Sequence, residues 1–161
     1  MKHILTAKII GKPYRGKWKK WYDPIKGHTG NDLDFFNEPL PSPVSGKVEL
    51  IAMQPEMGHT LYLSDQENGN IHVFAHMGAI VVKKGESVTR NQILGNTDNS
   101  GKASSGPHLH YEIITFFKPK TLWDRVMTRQ LQGFRGWNID PLAYIRNLYD
   151  KYNLDAEGNK K

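Results

Sequence analysis

The sequence predicts a mostly β domain followed by C-terminal helices, and three observations carry that reading. Residues 28–115 consist of short alternating runs, they are punctuated by turn-forming residues, and helical spacing appears only after residue 119. In the first pattern Ile71, Val73 and Ala75 alternate with His72, Phe74 and His76. Leu109, Tyr111 and Ile113 alternate in the same way with His108, His110 and Glu112. The punctuation is Gln66-Glu67-Asn68-Gly69-Asn70, Lys84-Gly85-Glu86 and Asp98-Asn99-Ser100-Gly101. In the helical region Leu122, Val126 and Met127 follow Pro119, and Leu142, Ile145 and Leu148 follow Asp140-Pro141, an N-cap with proline at the first helical position.

The length of 161 residues fits one domain, drawn here as residues 1–150 with a core at about 25–145. Residues 151–161 are polar and are expected to form a disordered tail. No apolar run approaches the ~20 residues that a membrane span requires. Lys8 interrupts the apolar N-terminal residues and no small-residue cleavage site follows, so no signal peptide is read there. The absence of cysteine excludes disulfides and thiolate metal sites, leaving histidine and carboxylate as metal donors. The net charge of +6 favours acidic partners, nucleic acid or an anionic envelope, without choosing between them.

The sharpest local feature is Gly106-Pro107-His108-Leu109-His110-Tyr111-Glu112. Residues two apart on a strand share a face, so His108 and His110 present two imidazoles side by side. That pair suits two zinc ligands, one ligand beside a catalytic base, or two ordinary strand histidines. In Gly27-His28-Thr29-Gly30-Asn31-Asp32, the spacing places His28 and Asp32 on one face, with Gly30 allowing a tight backbone between them. One histidine and one carboxylate from this stretch, with one later histidine, would give the three protein ligands of a catalytic zinc site. His76, in Phe74-Ala75-His76-Met77, lies on the polar face of its strand.

Together these stretches resemble the three signature motifs of the lysostaphin (LytM) type zinc metalloendopeptidases, in the family's order. Pro43-Val44-Ser45-Gly46-Lys47-Val48, Val82-Lys83-Lys84-Gly85-Glu86-Ser87-Val88, Gln92-Ile93-Leu94-Gly95 and Asp140-Pro141 resemble the segments between and after them. The resemblance covers about residues 25–145. It implies a small antiparallel β-structure of the sandwich or barrel-sandwich-hybrid kind with an open groove. It further implies one Zn2+ per chain held by His28, Asp32 and His110, with His76 and His108 as the catalytic histidines. No Glu stands in a His-Glu-x-x-His motif, so the base would be one of these two histidines. The implied substrate is the peptide stem or cross-bridge of bacterial peptidoglycan, cut at the cell wall after secretion, release by lysis or delivery on a phage particle. A monomer with no nucleic-acid partner is expected. The alternative within the resemblance is a non-catalytic module that binds the wall or activates another hydrolase.

Other candidates receive plainer readings. His3 and His59 are taken as ordinary surface or turn histidines; His72 shares a face with His76 and could serve as an outer-shell group, but an ordinary strand histidine is the preferred reading. Asp34 and Glu112 share faces with ligands and could orient an imidazole, although solvent-facing carboxylates are the preferred reading. Tyr14, Trp18, Trp21 and Tyr22, interleaved with Arg15, Lys17, Lys19 and Lys20, would line a groove wall, mimic a base-stacking patch or close the edge of the core; the last is preferred for the tryptophans. Residues 117–136, with Trp123, Arg125, Arg129, Phe134 and Arg135, read as a local helical insertion bordering the groove.

Overall fold

The computed structural model describes residues 1–11, 13–15, 28–115 and 138–161. Trp18, Trp21, Tyr22, the three neighbouring lysines and the expected helical insertion of 117–136 lie outside the described residues.

The alternating runs form strands β1 (Asn31–Leu33), β2 (Pro39–Pro41), β3 (Gly46–Gln54), β4 (Gly58–Asp65), β5 (Ile71–Ile80), β6 (Ser87–Val88), β7 (Ile93–Thr97), β8 (Leu109–Ile114) and β9 (Asn138–Ile139). They join in one antiparallel sheet whose main path runs β1-β8-β5-β4-β3-β6, with β7 bridging β2 and β5 and β9 added to β8. The mostly β expectation therefore holds. Among the described residues one helix, α1 (Pro141–Lys151), follows the strands as expected, with the Asp140 carboxylate accepting from the amides of Leu142 and Ala143.

The two faces of the central strands pack differently. Leu33, Phe35, Leu61, Phe74, Met77, Leu109, Tyr111 and Ile113 form the main core, closed by Leu142, Ile145 and Leu148 of α1. Ile71, Val73 and Ile114 cover the opposite face together with Leu50, Ala52 and Tyr62. β8 therefore has Tyr111 on one face and His110 and Glu112 on the other.

β5 departs from simple alternation. Leu61 pairs with Phe74 and His59 with Met77, so one extra residue of β5 is accommodated between these pairs. Phe74 and Met77, three apart, consequently face the same core. His76 sits inside this bulge with φ of 58°, a left-handed conformation uncommon for a residue with a side chain.

The C-terminal residues correct the expectation of a disordered tail. Leu154 is buried in the main core, Leu154 and Lys160 form a β-bridge, and the Asp155 carboxylate accepts from the amides of Glu157 and Asn159. Leu154 and Tyr152 pack on the core, an Asx-type turn at Asp155 folds the chain back, and the Asn91 side chain donates to that of Asn159. The sequence pattern shows the turn former but not the surface receiving Leu154.

Candidate metal centre

β1 and β8 bring the first two candidate motifs together, since Asp32 pairs directly with His110. Gly30 makes that approach possible: a Cβ there would lie 2.2 Å from the carbonyl oxygen of Tyr111. His28 lies three residues before the start of this strand and is buried, its carbonyl accepting from the amide of Arg15 at 2.7 Å.

Three donor atoms converge on one point. His28 Nε2 lies 3.5 Å from Asp32 Oδ1 and 3.2 Å from His110 Nδ1, and the last two are 2.9 Å apart. A tetrahedral ion with bonds of about 2.0–2.2 Å would hold its ligand atoms about 3.3–3.6 Å apart, so a slight opening of this triangle fits such an ion. Two imidazoles and one carboxylate are also a donor set suited to it.

Two further imidazoles flank the triangle. His108 Nε2 is 3.6 Å from Asp32 Oδ1, and the rings of His76 and His108 are 4.7 Å apart between centroids. The β5 bulge turns His76 out of the alternation that would bury it with Phe74 and brings its ring within 6.1 Å of His110. Both flanking rings are held through Nδ1, His76 by the carbonyl of Ser100 at 2.7 Å and His108 by that of Gly106 at 2.8 Å. A carbonyl can only accept, so each Nδ1 carries the proton and each neutral ring keeps its lone pair on Nε2.

The electrostatics without a cation follow from this crowding. Burial alone would raise Asp32, but hydrogen bonds from His108, His110 and His28 outweigh it and hold the carboxyl well below the usual carboxylate range. Burial opposes the charged form of His110, yet Asp32 and Glu112 beside it raise its pKa to about 10. His76 is lowered to about 4, first by burial and then by the neighbouring His110 charge. His108 loses from burial but is raised by its contact with Asp32. Asp32 is thus kept ionised and ready to bind a cation.

The other candidates fall away from this centre or acquire a different place. Asp34 pairs with Lys2 and accepts from the amide of Lys8. The His59 Nδ1 donates to the carbonyl of Gly78. His72 is fully buried between Tyr111 Oη, 2.7 Å from its Nδ1, and Asp65 Oδ2, 3.1 Å from its Nε2. Tyr14 does not stand apart as a platform: its amide donates to the Asn31 side chain and its hydroxyl to the Asn138 carbonyl. Glu112, preferred as a solvent-facing group, is buried beside His110 and accepts from Asn138 Nδ2 at 3.0 Å. Its alternation with the histidines signalled the face, whereas nothing local signalled the cover from Asn138.

The fold and donors define a candidate metal centre on an antiparallel domain. The model of Peptidase family M23 matches residues 26–121, more than half of the chain, and the chain belongs to that family. A Vibrio cholerae protein named peptidoglycan DD-endopeptidase ShyA is 32% identical over 124 residues, covering 66% of this chain and 27% of that protein. The chain thus spans about a quarter of the length of the curated relatives it matches. Among solved structures, a zinc containing peptidase from Vibrio cholerae is 28% identical with a TM-score of 0.55, covering 66% of this chain and 32% of that one. The catalytic domain of lysostaphin from Staphylococcus simulans superposes with a TM-score of 0.65 over 84% of this chain and 90% of its own, at 21% identity, a likeness of fold.

Proposed function

We propose that this domain is a zinc-dependent endopeptidase that hydrolyses peptide bonds in the stem or cross-bridge of bacterial peptidoglycan and acts at the cell wall. The observation that carries this reading is the convergence of His28 Nε2, Asp32 Oδ1 and His110 Nδ1 beside the imidazoles of His76 and His108, each held through Nδ1 by a backbone carbonyl. Membership of a peptidase family and relatives named peptidoglycan DD-endopeptidases supply the substrate class.

His28, Asp32 and His110 would hold the ion. Zinc in such a set supplies a Lewis acid that activates water and polarises a carbonyl. The chain's own groups then handle protons and charge. With Nδ1 fixed on backbone carbonyls, His76 and His108 each keep Nε2 free for proton transfer, one to accept a proton from water and the other to stabilise the oxyanion or return a proton to the leaving amine. His108 and Asp32 keep partial exposure beside the buried His28, His76 and His110, so the centre meets solvent on their side.

Incubation with purified peptidoglycan tests the proposal. The expected result is release of new amino groups without new reducing sugar ends, abolished by a chelator and restored by zinc. New reducing ends, or undiminished release after metal removal, would overturn it.

A further inference from the structure

We propose that Glu112 is the carboxylate that fixes the imidazole of His110 for metal binding, and that Asn138 holds Glu112 in place. This rests on the assignment of His110 as a ligand under Proposed function. The two nitrogens of His110 face opposite ways. Nδ1 points at Asp32 and His28. Nε2 is buried, has no hydrogen-bond partner among the described residues, and lies 3.9 Å from Glu112 Oε2. A buried polar nitrogen without a partner is costly, and a small rotation of either side chain closes this gap to a hydrogen bond. An imidazole that binds a metal through one nitrogen commonly donates its other N–H to a carboxylate, which fixes the ring and strengthens the ligand.

Glu112 is itself held from outside its own strand. The Asn138 side chain donates to Oε2 at 3.0 Å, while β9 pairs Asn138 with Ile114 and Ile139 with Ile113. The Asn138 carbonyl accepts from Tyr14 Oη at 2.5 Å, and the Tyr14 amide donates to Asn31, the residue preceding Asp32. One connected layer thus backs both β1 and β8. Chain entering through Tyr14 and chain returning at β9 meet behind the ligands. Glu112 and Asn138 are positioning residues, with no contact to the reacting groups required of them.

The experiment measures zinc affinity by competition with a chromophoric chelator, together with the His110 Nε2–H proton signal by NMR in the metal-free protein. Glu112→Ala is expected to weaken zinc binding about 10–100-fold and to make the N–H signal exchange rapidly. Glu112→Gln, which keeps an acceptor oxygen, should stay closer to wild type in both. Asn138→Ala should shift both readouts in the direction of Glu112→Ala, and it decides the matter if Glu112→Ala does not fold. Wild-type affinity and a wild-type N–H signal in a folded Glu112→Ala or, failing that, Asn138→Ala protein would overturn the proposal. A wild-type protein that binds no zinc would reject the functional reading instead, and the metal-free N–H measurement would still decide the role of Glu112.

Discussion

The backbone of Gly30 rests against the carbonyl of Tyr111 so closely that a single methyl group would stand 2.2 Å from the oxygen. The neighbour is backbone in a paired strand, so it cannot swing aside. Gly30→Ala is therefore expected to push β1 from β8, separate Asp32 from His110, and cost about 1–3 kcal/mol or more through overpacking. Thermal denaturation and zinc titration check this. A variant matching wild type in both would show that the strands tolerate the displacement.

Asp32 carries the charge of the donor triangle, and its carboxylate contacts all three of His28, His108 and His110. Zinc content of the purified protein should fall from roughly one ion per chain to near zero in Asp32→Ala. Equal content in the two proteins would place the ion elsewhere.

His76 and His108 are held by backbone carbonyls and lie beside the triangle rather than in it. His76→Ala and His108→Ala should retain zinc while losing about 10²–10⁴-fold in peptide hydrolysis. Loss of zinc with either substitution would make that residue a ligand, and full activity would remove it from the chemistry.

Acid stability gives a prediction away from the centre. Burial lowers the pKa of His72 from 6.5 despite its bond to Asp65, whose own pKa is lowered to about 2. Burial alone would raise Asp65; the contact with His72 and the amide of Asn68 outweigh it. As pH falls below about 6.5 the unfolded chain binds a proton that folded His72 does not, so stability falls, with a limiting slope of about 1.4 kcal/mol per pH unit. Ionised Asp65 adds stability present above its unfolded value of 3.8 and lost as pH falls toward 2. Metal-free His72→Gln should be less stable at pH 7 and should lose stability less steeply than wild type between pH 6.5 and 5. Parallel profiles in denaturant titrations would assign the acid sensitivity to other groups.

The donor triangle was legible because its signals are local. A spacing of two on a strand, and of four on a strand or a helix, places side chains on one face, and His108 with His110 and His28 with Asp32 follow that rule. His76 was legible as a candidate but not in its placement. The alternation of β5 reads on through it, and only pairing with β4 reveals the extra residue that turns it toward His110. Gly30 was legible as a tight position, yet its reason lies in Tyr111, far along the chain. Glu112 and Leu154 were misjudged for a common physical cause. Each is covered by chain distant in sequence, and periodicity reports which way a residue points, not what lies above it.

The carbonyls of Ser100 and Gly106 belong to one loop between β7 and β8, and between them they set the proton-bearing nitrogen of both flanking imidazoles. Ser104, whose hydroxyl meets Asn99, the Gly106 carbonyl and His108 Nδ1, braces that loop from within. The two holds differ in kind: Ser100 is itself anchored by its hydroxyl to the Met77 carbonyl and the His59 amide, whereas Gly106 depends on the Ser104 brace. A change at Ser104 or Asn99 is therefore expected to loosen the His108 ring and leave that of His76 in place.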